Sequence, residues 1–266
     1  MTKRNCLILG SGRSGTSMVA GSLSNSGYFM GDSSYPTNPS NPKGMFEDPE
    51  INAVNEALLS RAVPKRPRIL GRWFFRDRPV YGQRSLARVP LGTDIPCPPR
   101  VAERIRRVTE REPYCFKDPR FSYTLPAWRS FLREDTAFVC VFRDPASTAL
   151  SILKDRQDNW FLHSLNITFR EALEVWTLMY RHILEVHRHE GDWLFLHYDQ
   201  VLCGDGLDRL ESFIGAQVDR SFPDPSLRRS LSGQPVPEAT ARLYQRLCEL
   251  AEYEAASVGL SGFSAQ

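Results

Sequence analysis

The stretch "GSGRSGTS", Gly10 to Ser17, follows the apolar run "CLIL" at Cys6 to Leu9 and leads into "MVAGSL". Its glycines fit the spacing of a phosphate-binding loop, GxxxxGK[ST], at every position but one: Thr16 stands where the lysine belongs. A strand that ends in glycines and opens onto a helix gathers backbone N–H groups and the positive end of a helix dipole around one point. That point holds an anion whatever the side chains are. Here Thr16 and Ser17 add hydroxyl donors, and the fixed cation is displaced into the loop, to Arg13. Such a fork of donors suits one short anion better than a metal-bound triphosphate. Gly12, Arg13, Ser14, Gly15, Thr16 and Ser17 are the residues expected to bind it.

Outward from the loop, short apolar runs alternate with helical patterns and no internal repeat is visible, which argues for βαβ units and a mostly parallel sheet. Strands are expected at Asn5 to Gly10, Tyr114 to Lys117, Ala137 to Arg143 and Trp193 to His197. A short helix should run from Thr16 toward Gly27, with Met18, Val19 and Leu23 facing the sheet. A strong one covers Phe169 to His189, opened by a capping box of Thr168 and Glu171, with Leu173, Trp176, Tyr180 and Ile183 on one face. The last helix is expected over Pro237 to Val258.

The 266 residues, 41% of them hydrophobic, can bury a sizeable core in one large α/β domain or two small ones. The longest apolar runs, "AFVCVF" and "WLFLHY", fall far short of the roughly 18 residues that span a bilayer. No membrane span is expected. The "CLIL" stretch behind Lys3 and Arg4 is too short for a secretory leader, so the expected location is the cytoplasm. Six cysteines without CxxC pairing, three of them in strand-like runs, suit buried thiols in a reducing compartment. The histidines make no metal set; His182, His187 and His189 sit near a helix end in structural or solvent roles, and no metal ligands are assigned. The net charge of +3 hides an asymmetry: Arg61 to Arg107 carries thirteen Lys or Arg against three acids, a segment of +10 in a body of −7.

A second motif lies in "VCVFRDPASTALSIL", where Arg143 ends an apolar strand and Ser151 follows eight residues later in a helix. Both can reach the crevice at the carboxyl ends of a parallel sheet, where open α/β folds bind ligands. With both motifs in view, the chain resembles the sulfotransferases that use 3′-phosphoadenosine 5′-phosphosulfate (PAPS). "GSGRSGTS" is similar to their 5′-phosphosulfate loop, and Arg143 with Ser151 to the Arg and Ser of their 3′-phosphate motif. "NPKGMFEDPEINAVNEALL", "FKDPRFS" and "LHYDQVL" follow in the order seen in bacterial-type members, so the resemblance covers most of the chain outside the Arg-rich segment. One departure is Arg13, where cytosolic members commonly carry Lys.

The resemblance implies an α/β, P-loop-like three-layer fold with a central mostly parallel sheet flanked by helices. Residues 1–266 would form a single domain carrying an Arg- and Pro-rich insertion or lid at about 61–107. It implies PAPS as co-substrate, PAP as product, metal-free transfer, and a small-molecule or carbohydrate acceptor with a hydroxyl or amine, possibly anionic. Lys117 in "FKDPR" resembles the family's second catalytic lysine, and Arg13, Lys117 and the loop amides would stabilise the sulfuryl and bridging oxygens. Small-molecule enzymes of the family place a histidine shortly after that lysine; Pro119 stands there instead. The base is then a carboxylate, Glu47 first, with Asp48 and Asp118 as alternatives. "DPSLRRS" offers a further Arg pair, Arg228 and Arg229, toward the 3′-phosphate.

Two other classes compete. A P-loop small-molecule kinase needs an acidic residue ending an apolar strand, whereas "AFVCVF" ends in Arg143. A non-catalytic nucleotide-binding protein would keep the loop without turnover. Trp73, Phe74, Phe75 and Tyr81 among the arginines suit a lid over the acceptor or a patch for an acidic or sugar-bearing partner. A single-stranded nucleic acid would also fit that mixture but leaves the rest of the chain unexplained, so no nucleic-acid partner is expected.

Overall fold

A computed structural model describes residues 2–71, 73–227 and 233–254. Four parallel strands form one sheet in the order β2-β1-β3-β4: β1 is Cys6–Leu9, β2 Cys115–Lys117, β3 Ala137–Phe142 and β4 Asp192–His197. Cys6 lies between Cys115 and Ala137, which sets the register of β1 against β2 and β3. All four strands were legible as apolar runs because a parallel sheet is covered on both faces and therefore reads without alternation.

Alternate strand residues feed two cores. Leu7, Leu9, Phe116, Cys140 and Phe142 pack with Ile51 and Leu58 of α2 (Pro49–Ala62), Trp128 of α4 (Phe121–Arg129) and Trp176 of α6 (Phe169–Arg181). On the other face, Cys6, Ile8, Cys115, Val139 and Val141 pack with Val19 of α1 (Thr16–Ser22) and Leu207 and Leu210 of α8 (Asp205–Ile214). The result is the α/β, three-layer, P-loop-like architecture that the loop and its flanking strand imply. The strand cysteines are buried small apolar residues within it.

Where elements differ from expectation, local chemistry accounts for it. Helix α1 stops at Ser22 rather than near Gly27, and the Ser22 and Ser24 hydroxyls turn back onto the carbonyls of Met18 and Gly21. The capping box of Thr168 and Glu171 is formed, and α6 continues into a wider π-type turn over His182–His187. In that turn His182 and His187 are buried against the carbonyls of Val89 and Ser122. The last helix, α9, covers Glu238–Leu250; Val258 of the expected span, like Arg228 and Arg229, lies outside the described residues.

The Arg-rich stretch divides. Among the described residues of 64–98 the only regular element is a short 3-10 turn, Arg84–Leu86, whereas α3, Pro99–Thr109, is a regular helix whose Val101 and Ile105 enter the first core. Its arginines are left on the outer side, which is why the charge run gave no sign of the buried face.

Candidate active site

Strand β1 delivers the loop into a tight space. A Cβ on Gly10, at φ 136°, would lie 2.2 Å from the Val141 carbonyl oxygen, so only glycine lets the chain pass β3 here. At Gly15, φ 98°, a Cβ would lie 2.7 Å from the Tyr198 ring. Beyond the loop opens a cavity of about 840 Å³, lined by Gly12, Arg13, Gly15, Thr16 and Ser17. Ser14 is the exception among the expected loop residues. It is fully buried, does not line the cavity, and spends its N–H on the Ser11 carbonyl at 3.2 Å.

The cation that the loop lacks comes from the neighbouring strand. Lys117 is the last residue of β2, and its Nζ donates to Ser17 Oγ at 3.2 Å. The same ammonium lies 2.5 Å from Glu47 Oε1, and both side chains are almost wholly buried at the cavity wall. Glu47 Oε2 accepts from Asn52 Nδ2 at 2.8 Å and lies 4.0 Å from Arg120. Burial pushes the Glu47 pKa up, but the charges of Lys117 and Arg120, with the hydrogen bonds from Lys117 and Asn52, outweigh it. The carboxyl is held below its ordinary range.

The alternative carboxylates are otherwise engaged. Asp48 caps α2, accepting from the N–H groups of Glu50 at 2.8 Å and Ile51 at 3.1 Å, with Pro49 at the first helical position. Asp118 is fully buried behind the wall, held by Asn55 Nδ2 at 2.9 Å and by Arg120 through its backbone N–H and guanidinium. Burial and the nearby Glu47 charge raise its pKa against the opposing pull of Arg120. Neither residue lines the cavity.

The second expected motif lies across the cavity. Arg143 follows β3 directly, nearly buried, with its guanidinium carbon 4.4 Å from the centre of the Tyr198 ring. Asp144 after it caps α5 (Pro145–Asp158) by accepting from the Ser147 N–H at 2.7 Å, which leaves the strand without a free terminal acid. Ser151, one face along α5, lines the same cavity. Arg13 joins this end rather than the Lys117 end: its Nε donates to Ser151 Oγ at 3.2 Å, one Nη to the Ser40 carbonyl at 2.9 Å, and the other lies 3.8 Å from Asp155. The loop thus ties the two expected motifs together through one side chain.

Solved structures give the architecture its counterpart. The chain is similar to the sulfotransferase domain from the Synechococcus PCC 7002 olefin synthase, with a TM-score of 0.53 at 15% identity over 93% of this chain and 96% of that one. The fold is that of a sulfotransferase domain. A second such domain, from the curacin biosynthetic pathway, superposes with a TM-score of 0.50 at 14% identity over 95% of this chain and 99% of that one. No protein-family model and no curated protein matches the chain. Among the described residues, no helix of this sulfotransferase fold is long and apolar enough to cross a membrane.

Sequence reasoning missed Asn52, Arg120 and Tyr198. Asn52 and Asn55 fall on α2 among Ile51, Val54 and Leu58, and amides at those positions read as a solvated face although both are buried. Arg120 is fully enclosed by Asp118, Glu56 and Glu47, and these three charges together raise its pKa against the effect of burial. Asp48 offered a usable signal, since Asp followed by Pro marks a helix start.

Proposed function

We propose that the chain is a PAPS-dependent sulfotransferase that moves the sulfuryl group to a hydroxyl or amine of a small-molecule or carbohydrate acceptor. The observation that carries this reading is the Lys117–Glu47 pair beside Ser17 of the loop, with Arg143 and Ser151 across one shared cavity. A single cavity of this size suits a nucleotide and a second molecule together. Thr16 in the lysine position argues against a triphosphate, and Lys117 supplies a cation where a sulfuryl group would sit.

PAPS supplies an activated sulfuryl group, whose S–O bond to the departing phosphate breaks as the acceptor's bond to sulfur forms. Gly12, Gly15, Thr16 and Ser17 of the loop would hold the 5′-phosphosulfate, and Arg143, Ser151 and Arg13 the 3′-phosphate. Lys117 offsets the negative charge on the transferring and departing oxygens. Glu47 takes the proton of the acceptor. Because its carboxyl is held at low pKa, it stays ionised at neutral pH, and it takes the proton only as bond formation acidifies the acceptor. The exposed Tyr81 and Trp160, both on the cavity wall, offer rings to a sugar or a flat acceptor, and the 64–98 segment serves as its lid. Buried strand thiols suit a reducing cytoplasm.

A thermal-shift panel of PAP, ADP with Mg²⁺ and ATP with Mg²⁺ tests the nucleotide, since a ligand that binds only the folded chain raises its melting temperature. PAP without metal is expected to stabilise most. Selective stabilisation by ATP with Mg²⁺ would replace this reading with that of a kinase.

A further inference from the structure

Four large apolar side chains stand out into solvent within six residues of one another: Ile69 is 86% exposed, Leu70 54%, Trp73 80% and Phe74 74%. Their backbone is a tight turn of its own, with the Gly71 N–H on the Pro67 carbonyl at 2.9 Å and the Phe74 N–H on the Leu70 carbonyl at 3.0 Å. Below this tip the neck is pinned. Arg66 donates to the carbonyls of Arg78 at 2.8 Å and Ser164 at 3.1 Å, and Arg76 to that of His163 at 3.1 Å. The stretch it is pinned to carries Trp160, 82% exposed and on the rim of the cavity. The apolar tip and the cavity mouth therefore belong to one fixed surface.

That surface is cationic. Residues 65–78 contain six Lys or Arg and a single acid, Asp77, which faces a further arginine, Arg88, at 3.6 Å. Hydrogen bonds from Arg66 and Arg76 to carbonyls orient the guanidinium groups without neutralising them. Among the described residues Lys65, Arg68 and Arg76 are exposed, and exposed Trp, Phe and aliphatic side chains flanked in sequence by such cations are the composition that partitions into the headgroup layer of an anionic bilayer. Shape points the same way. Side chains three-quarters exposed form a convex tip, which a deformable lipid surface can enclose, whereas a folded partner would need a matching pocket.

We propose that the exposed side chains of Ile69, Leu70, Trp73 and Phe74 dock this chain onto the surface of anionic membranes, lying among the headgroups with Lys65, Arg68 and Arg76 on the lipid phosphates. This goes beyond the sulfotransferase reading and holds or fails independently of it. Docking of this kind needs no membrane-spanning helix.

Co-sedimentation of the full chain with phosphatidylcholine vesicles, with and without about a third phosphatidylserine, tests it. Binding to the anionic vesicles alone is expected. Lys65→Gln and Arg68→Gln should each weaken it about fivefold, and the Trp73→Ser, Phe74→Ser double variant at least tenfold, with thermal melting unchanged because these side chains are largely exposed. No binding to anionic vesicles overturns the proposal. So does binding that survives loss of Trp73 and Phe74, which would be adsorption by charge alone. Concentration-dependent self-association relieved by the double variant, without vesicle binding, would assign the tip to a second copy of the chain instead.

Discussion

Glu47 and Lys117 meet at 2.5 Å although they stand 70 residues apart, one in the segment before α2 and the other at the end of β2. Each has a second tie: Glu47 to Asn52 and Lys117 to Ser17. A carboxylate and an ammonium are thereby fixed against the loop.

Substituting Glu47→Gln keeps size and most hydrogen bonding but removes the proton acceptor. Turnover should fall roughly 10²- to 10⁴-fold, while PAP affinity by calorimetry stays nearly constant. Lys117→Ala should also cut turnover and, through the lost Ser17 contact, loosen the nucleotide. It should in addition move the acid limb of the pH–rate profile to higher pH, because the cation that most lowers the Glu47 pKa is gone. An unmoved limb would show that this limb does not report Glu47.

Arg143→Ala should weaken PAP by on the order of 1.5 to 3 kcal/mol, the worth of a charge-assisted contact. Adenosine 5′-phosphosulfate, which lacks the 3′-phosphate, should bind as before. Equal losses for the two ligands would assign Arg143 to holding Tyr198 rather than to a phosphate.

Asp48→Ala removes the cap of α2 and should lower stability by about 0.5 to 2 kcal/mol in a denaturant melt. The turnover of the folded fraction should be preserved. A loss comparable to that of Glu47→Gln would reopen the choice between the two neighbours.

Gly15→Ala places a methyl against the Tyr198 ring in a backbone conformation that side chains rarely adopt. Tyr198 must move, and Arg143 stacked on it moves too. Weaker PAP binding is therefore expected alongside a lower melting temperature. A variant that melts lower but binds PAP normally would separate the two.

His187 is held neutral. Burial lowers its pKa from 6.5 to about 3, against the favourable hydrogen bond to the Ser122 carbonyl. Between those values the unfolded chain binds a proton that the folded chain does not, so stability falls as pH falls, with a slope approaching about 1.4 kcal/mol per pH unit. His187→Gln should flatten the stability curve across that window. The same slope in both proteins would rule the ring out as its source.

The strands and the capping box were legible because local pattern alone determines them: continuous apolar runs for a sheet covered on both faces, and Thr168 with Glu171 three residues on. The two strand-to-helix turns that carry Gly10 to Ser17 and Arg143 were legible for the same reason, since such turns are short. What sequence could not supply was the partner of each charge. Arg13 was read as facing the sulfuryl group, yet its contacts lie with Ser151, Ser40 and Asp155, residues 27 to 142 positions away in the chain. Likewise Glu47 and Asp48 are adjacent acids with unlike fates, and only the contact of Glu47 with Lys117 at the end of β2 separates it from the helix-capping Asp48.

Arg84, in the Arg-rich segment, shares the buried carboxylate of Glu56 with Arg120, which in turn faces Glu47. The segment is therefore not a module that can be exchanged at will. A graft from another chain that brought no cation to Glu56 would leave the buried carboxylate with Arg120 alone, and so alter the charge that Arg120 presents to Glu47. Evolutionary or engineered replacement of this segment must carry its matching charge with it, so that change in what borders the cavity mouth is tied to the deepest electrostatics of the fold.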